Sequence, residues 1–152
     1  MSNDAPVLLD ITRLLWRRWV GRYPTGIDRV CLAYLDHFQD RAQAVVQHRR
    51  MRRILDREAS TALFQLLADP TKNIRRQLIA SALRFGVGRS AKGRGRVYLN
   101  VGHTGLNEEG FRQWARKADV RPVYLIHDLI PITHPEYCRA GEARKHRERM
   151  RT

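Results

Sequence analysis

Short apolar runs alternate with amphipathic segments along most of the chain. The runs at residues 7–10, 44–47, 97–101 and 123–126 are bounded by proline, glycine or charged residues, a pattern that predicts β-strands. The segments between them place apolar residues at helical spacing. Because strands alternate with helices, the sequence predicts an α/β domain with a doubly wound, mainly parallel sheet and helices on both faces.

The clearest helical pattern follows Pro24. Thr25 is a suitable N-cap, and Asp28, three residues later, completes a capping box. One continuous apolar stripe then follows at helical spacing: Ile27, Val30, Cys31, Tyr34, Leu35 and Phe38. Since Cys31 lies in this stripe, it is interpreted as a core residue, with a reactive thiol as the alternative.

The remaining segments are more basic. Residues 12–23 carry aromatic and arginine side chains, and this pattern predicts a loop or a short helix. Helices are also predicted at 56–67, 71–87, 106–117 and 140–151. Residues 86–96 are rich in glycine and arginine. They have the glycine spacing of a phosphate loop, but Arg94-Gly95 replaces the expected Lys-Ser/Thr and no strand precedes them, so a basic hinge is the better interpretation.

The charge balance points to an anionic partner. The 152 residues include 29 Lys and Arg against 15 Asp and Glu, a formal net charge of +14. Nucleic acid, a phosphorylated substrate and anionic lipid all fit such a charge. The two cysteines have no metal-binding spacing, and residues 1–10 lack the pattern of a signal peptide. A cytoplasmic protein with reduced thiols is therefore expected.

Candidate chemistry lies just after predicted strands. His127 and Asp128 follow the strand at 123–126, where open α/β sheets place their ligand crevice. The alternative is a strand end with a solvated turn. Gly26 lies at the start of a helix after the first strand, an arrangement that suits an anion but also occurs without a ligand. His103 follows the strand at 97–101.

Two other kinds of site were weighed. His127 and His134 lack the carboxylate–histidine helix spacing of a metal site, so no metal is predicted. Nucleic-acid binding without catalysis is the alternative function, because the net charge supports it. No recognised DNA- or RNA-binding motif accompanies that charge, and arginine is spread over several elements.

Three blocks resemble the N-terminal half of bacterial GT-B glycosyltransferases of the family-4 type, also called glycosyltransferase group 1. They are Thr25-Gly26-Ile27-Asp28-Arg29-Val30, Leu99-Asn100-Val101-Gly102-His103, and the run from His127 to Glu136, His-Asp-Leu-Ile-Pro-Ile-Thr-His-Pro-Glu. The resemblance covers about residues 7–47 and 97–150. Residues 48–96 lie outside it and are interpreted as a basic helical insertion with a hinge.

The resemblance implies a fold and an activity. Such enzymes face two Rossmann-like domains across a cleft and move a hexose from a nucleoside diphosphate to a glycan or lipid-linked acceptor, with retention and without an essential metal or other cofactor. Polysaccharide biosynthesis is a typical setting. The acidic donor-binding motif of their C-terminal domain is not found in residues 1–152. The chain is thus expected to be a truncated, acceptor-side domain that transfers no sugar by itself.

The same resemblance assigns roles by position. Thr25 and Gly26 match the first strand-to-helix loop, which approaches the donor. His127 matches the histidine near the transferred sugar, with Asp128 beside it, and these two are the expected catalytic residues. His103 would line the acceptor side.

A membrane contact is predicted for the middle region. The helix at 71–87 combines an apolar stripe with basic residues, a pattern typical of peripheral association with the anionic inner face of the plasma membrane. The predicted lipid contacts are Arg75, Arg76, Arg84, Arg89 and Lys92. The alternative is a helix packed on the domain with a solvated basic face.

Overall fold

A computed structural model describes residues 5–48, 51–69, 73–85, 90–108 and 110–151, without the side chains of 83–85. Five strands are formed within these ranges: β1 (Val7–Asp10), β2 (Ala42–His48), β3 (Met51–Ile54), β4 (Arg96–Asn100) and β5 (Val120–Tyr124). The α-helices are α1 (Thr12–Val20), α2 (Gly26–Phe38), α3 (Arg57–Ala68), α4 (Ile74–Phe85), α5 (Phe111–Lys117), α6 (Ile130–Thr133) and α7 (Glu142–Met150).

The strands form one mixed sheet in the order β3-β2-β1-β4-β5. β1 lies at its centre and runs parallel to β2 and β4, and β4 runs parallel to β5. The predicted mainly parallel α/β sheet is therefore confirmed. β3 is the exception, because it pairs antiparallel with β2 at one edge.

Residues on alternate positions of the central strands enter two separate cores. Leu9 and Leu99 pack on one side of the sheet with residues of α1, α2 and α3. Leu8 and Tyr98, one position earlier on the same strands, pack on the other side with Phe111 of α5. Because successive side chains of a strand point to opposite faces, the predicted placement of helices on both faces is confirmed.

The stripe of α2 faces the core as its spacing predicts. Leu35 and Cys31 are buried, and the other stripe residues pack partly buried against the same cluster. Burial raises the pKa of the Cys31 thiol to about 11, which keeps it protonated near neutral pH. The interpretation of Cys31 as a core residue is confirmed.

Two strand predictions need correction. β5 begins at Val120, three residues before the predicted start, and Pro122 lies inside it opposite Tyr98. A proline is tolerated there because β5 is an edge strand. β3 was not predicted, since two of its four residues are arginines and no apolar alternation marks it.

Several helix boundaries also differ from the prediction. The basic segment after β1 is the helix α1, and Gly21 ends it with a φ of 67°. The predicted helix at 106–117 begins at Phe111, after a turn in which Leu106 is fully buried. The short α6 lies within the proline-containing segment after His127.

The basic middle region contributes to the domain. Residues 51–54 extend the sheet as β3, and α3 buries Leu63, Phe64 and Leu67 in the core. Within the ranges described above, no helix is long and apolar enough to cross a bilayer.

Candidate functional site

The order of strands reverses between β1 and β4. The chain goes from β1 to β2 on one side and reaches β4 on the other, so connections diverge at the carboxyl ends of β1 and β4. In open α/β sheets a ligand crevice forms at such a point. Thr12 and Arg13 follow β1 there, and Gly102 and His103 follow β4.

Arg13 joins two of the blocks that carry the family resemblance. Its Nε donates to Asp28 Oδ1 at 2.6 Å, and its NH2 group donates to Thr25 Oγ1 at 3.4 Å. Its stem lies against Gly102, where an added Cβ would come 2.8 Å from Arg13 Cβ. Only glycine fits this close approach. The start of α2 and the loop after β4 are thus held together at the crevice.

Asp28 is the buried anchor of this arrangement. It is 1% exposed and accepts hydrogen bonds from Arg13, from Arg17 Nε at 2.8 Å, and from the backbone and hydroxyl of Thr25, each at 2.7 Å. Burial opposes ionisation, but the Thr25 and Arg13 hydrogen bonds outweigh it and lower the Asp28 pKa to about 2. The predicted capping box is present.

Gly26 opens α2 beside this anchor. The residue is exposed, and an added Cβ would meet no atom within 4 Å, so its surroundings are open space. The positive end of the helix dipole points out at this position. Binding of an anion at Gly26 stays a prediction.

His103 and His127 lie together beside the crevice. Their ring centroids are 5.0 Å apart in an edge-to-face arrangement. The ring N–H at Nε2 of His103 donates to the Leu125 carbonyl at 2.5 Å, and that of His127 donates to the Val101 carbonyl at 2.7 Å. Because a carbonyl can only accept, the proton of each neutral ring lies on Nε2, and Nδ1 carries the lone pair.

A third imidazole joins this pair from α7. The ring of His146 lies 6.0 Å from that of His103, and the residue is 4% exposed. Its Nε2 is buried without a hydrogen-bond partner, as is Nε of Arg149, one turn later. His146 lies in a charged segment with no apolar periodicity, so the sequence pattern does not mark it.

The environment of the cluster disfavours protonation of His103. Burial lowers the pKa of His103 below its usual 6.5, and the nearby charges of His127, Arg149 and His146 add to this, against the hydrogen bond to Leu125. His103 is therefore mostly neutral at pH 7. A neutral ring with a lone pair on Nδ1 can accept a hydrogen bond from a hydroxyl group.

The lowered pKa of His103 predicts a pH dependence that can be measured. We expect the ring resonances of His103 to titrate below pH 6.5 in an NMR experiment, and their midpoint to rise in His127→Ala because one cationic neighbour is lost. The folded-state pKa is depressed, so this group's contribution to stability is present above pH 6.5 and is lost as the pH falls through that pKa. A midpoint at or above 6.5 would contradict the buried geometry.

The hydrogen bond of Asp128 is local and does not involve the imidazoles of His103, His127 and His146. Asp128 is exposed, and its Oδ1 accepts a hydrogen bond from Ile130 N at 3.0 Å, at the start of α6. This is a local side-chain-to-backbone bond of the kind that begins turns and helices. A catalytic role for Asp128 remains a prediction.

A buried polar network supports the loop after β4. Asp10 accepts hydrogen bonds from the Tyr98 hydroxyl at 2.6 Å, from Thr12 N at 3.0 Å and from the side-chain amide of Gln47. Gln47 and Asn100 in turn donate to the Thr104 carbonyl at 3.1 and 2.8 Å. Burial raises the pKa of Asp10, and the hydrogen bonds that its carboxylate accepts oppose this shift. The network fixes the loop that carries His103.

Gly105 provides a test of this support. We expect Gly105→Ala to lower the free energy of unfolding by about 2–3 kcal/mol, because φ is 71° and an added Cβ would collide with the Gln47 side chain. Gly110→Ala is the matched control, since its φ is 85° but its surroundings are open. Denaturant unfolding measures both, and equal losses would show that the network leaves space at Gly105.

The residues predicted to contact lipid are placed in part. Arg75 and Arg76 are exposed on α4, and Lys92 is exposed before β4. Arg75 Nε donates to the Trp19 carbonyl of α1 at 2.7 Å. Arg84 belongs to α4 but its side chain lies outside the described part, as does Arg89 entirely.

One structural finding concerns the expectation that the chain binds no metal. Among the residues described, no group of three or more His, Cys, Asp or Glu side chains is placed to hold a metal ion. Three further residues contact the predicted site residues or the Asp28 cap and were not predicted from the sequence: Arg13, Arg17 and His146. Two arginines four residues apart, facing the Asp28 cap, were the available signal for the first two.

The chain was also compared with known proteins. No family model, curated protein or solved structure gave a significant match.

Proposed function

We propose that this chain is the acceptor-side, Rossmann-like N-terminal domain of a retaining GT-B glycosyltransferase of the family-4 type. In an enzyme that joins it to a donor-binding domain, it helps to transfer a hexose from a nucleoside-diphosphate sugar to a glycan or lipid-linked acceptor. The observation that carries the proposal is that all three blocks of the resemblance meet at one edge of the sheet. Arg13 links the Thr25 block to Gly102, and His103 packs on His127.

The chemistry of this edge suits a diphosphate sugar. A departing diphosphate is stabilised by positive potential and backbone N–H donors, and the positive end of the α2 dipole supplies such potential. The neutral imidazole of His103, with its lone pair on Nδ1, suits a hydroxyl group of a hexose. In this proposal Gly26 lies toward the diphosphate, His127 near the transferred sugar and His103 toward the acceptor.

Ligand-observed saturation-transfer NMR tests the proposal. Nucleoside-diphosphate hexoses with different bases are mixed with the chain at millimolar concentration, since half of the donor site is expected elsewhere. We expect saturation of the hexose protons that is lost in His127→Ala and kept in His134→Ala, an exposed histidine outside the cluster. Saturation that is equal in both variants would contradict the role of His127.

The alternative, nucleic-acid binding without catalysis, predicts a different result. Part of the positive charge is neutralised by ion pairs within the domain. Arg13 and Arg17 pair with Asp28, and Arg52 pairs with Glu108. If the chain is nevertheless retained on DNA in a salt-dependent way, and neither nucleotide-sugar nor lipid competes, the alternative replaces the glycosyltransferase proposal.

A further inference from the structure

A groove at the same end of the sheet is lined by α1 and α4, two helices that also contact each other. Its volume is about 740 Å³, within the range of sites that enclose small ligands. The ends of β2 and β3 form its floor through Val46, Leu55 and neighbouring residues. Leu63 of α3 closes its inner end. The groove is distinct from the imidazole cluster, whose residues do not line it.

Large apolar side chains are exposed along this groove. Trp16 and Trp19 of α1 are 63% and 42% exposed, Met51 at the start of β3 is 72% exposed, and Ile79 of α4 is 46% exposed. Side chains of this size bury their apolar area when a partner is available. An exposed apolar cluster that lines a groove therefore indicates a binding surface.

The charge around the groove selects the partner. The elements α1, β3 and α4 contain arginines and no Asp or Glu. Arg13, Arg17 and Arg52 form ion pairs with Asp28 and Glu108 elsewhere in the domain, whereas Arg76 is exposed on α4. Arg18 and Arg75 donate to the backbone carbonyls of Leu67 and Trp19, which leaves their charge unbalanced by those bonds. The partner is thus apolar in one part and negatively charged in another.

The packing of α4 changes the membrane surface predicted from the sequence. Leu78 is half-buried and packs against the core, so the apolar stripe of α4 does not face outward as a whole. Ile79 is exposed on the groove side, opposite the tryptophans of α1. The apolar surface available to lipid is therefore the groove between two helices, and only part of it comes from α4.

We propose that this groove binds an acyl chain of an anionic phospholipid at a membrane surface. Trp16 and Trp19 lie at the level of the head groups, where tryptophan is favoured because its ring is amphipathic. Arg18 of α1 and Arg75 and Arg76 of α4 attract the phosphates. Met51 and Ile79 contact the acyl chain. This inference does not depend on the glycosyltransferase proposal, because it rests on the groove and its charge.

Vesicle binding followed by tryptophan fluorescence tests the inference. A Trp114→Phe background leaves Trp16 and Trp19 as reporters, since Trp114 packs against Tyr98 and Phe111. Vesicles of phosphatidylcholine alone are compared with an equal mixture of phosphatidylcholine and phosphatidylglycerol. We expect a blue shift, and quenching by lipids brominated on the acyl chain, with the anionic vesicles.

Paired variants, made in the chain that keeps all three tryptophans, locate the lipid contact. Arg22→Gln with Arg76→Gln removes two exposed charges, one just after α1 and one on α4, and is expected to weaken partition by roughly 30-fold. The control is Arg116→Gln with Arg139→Gln, which removes the same charge from exposed residues outside α1 and α4. Trp16→Ser is expected to weaken partition by about 10-fold, whereas Tyr137→Ser, which removes an aromatic ring that is 80% exposed elsewhere, leaves it unchanged.

The outcomes that overturn the inference are specific. Binding that is equal for neutral and anionic vesicles, or absent for both, excludes an anionic lipid. Equal losses in the two arginine pairs show that net charge, and not the groove, drives binding. Binding of soluble short-chain phosphatidylglycerol without any binding to vesicles would show that the occupant is a free amphiphile and not a membrane.

Discussion

Replacing Asp28 with alanine is expected to lower the free energy of unfolding by about 3–5 kcal/mol, the cost of breaking a buried ion pair by removing one partner. The carboxylate is 1% exposed and holds Arg13, Arg17 and the N-cap Thr25. Its loss leaves two guanidinium groups without their acceptor and removes the cap of α2. Chemical denaturation monitored by circular dichroism measures the effect.

A matched control lies on the same helix. Asp36 is exposed, and Asp36→Ala is expected to change the free energy of unfolding by no more than about 0.5 kcal/mol. If Asp28→Ala and Asp36→Ala cost the same, the carboxylate of Asp28 does not hold the two arginines in solution.

The same residue predicts how stability responds to acid. The folded-state pKa of Asp28 is about 2, below the ordinary value of 3.8. A depressed carboxyl pKa contributes stability above the unfolded-state value, and that contribution is lost as the pH falls from about 4 through 2. The contribution is about 2 kcal/mol. Asp28→Asn is expected to remove this part of the pH dependence, as denaturation curves between pH 2 and 5 can show.

Replacing His127 with alanine is expected to reduce sugar transfer by about 100- to 1000-fold in an enzyme that carries this domain with a donor-binding domain. The ring lies 5.0 Å from that of His103, and its Nδ1 is oriented by the bond from Nε2 to the Val101 carbonyl. Stability is expected to fall by only about 1 kcal/mol, the usual net value of one hydrogen bond.

His127→Gln separates the two roles of the ring. A glutamine amide can still donate to the Val101 carbonyl, but it offers no basic nitrogen where Nδ1 stood. We expect it to restore stability without restoring turnover, as kcat and unfolding measurements on the same preparation would show. Activity equal to that of the unchanged enzyme in either variant would leave His127 as a residue that only fixes the strand end.

Local sequence signals predicted the parts of the fold that local physics determines. The N-cap and the apolar stripe of α2 lie within the fourteen residues from Thr25 to Phe38, and the structure follows both. The central strands β1 and β4 were found because they are apolar on both faces, as buried parallel strands require. Pro122 misled the prediction of β5, since an edge strand accepts a proline that a central strand would not.

The features that local signals did not predict depend on contacts between residues far apart in the sequence. β3 becomes a strand because its backbone pairs with β2, although two arginines interrupt its pattern. His146, 43 positions after His103 in the sequence, reaches it only once α7 packs on the domain, and no periodicity marks it. The groove is lined jointly by side chains of α1, α4, β2 and β3, so neither helix predicts it by itself. Gly26, His103 and His127 were singled out from the sequence, and the structure brings the two histidines into contact.

Amide chemical-shift mapping with a nucleoside-diphosphate hexose tests the central proposal most directly. The chain is titrated to millimolar ligand, and the same titration with inorganic diphosphate serves as the control for simple attraction to a chain of net charge +14. We predict that the nucleotide-sugar shifts the amides of Gly26, Gly102, His103 and His127 as one group, and that inorganic diphosphate does not reproduce the shifts at His103 and His127. Shifts spread over the arginine-rich surface, or identical for the two ligands, would contradict a sugar-nucleotide site at this edge of the sheet.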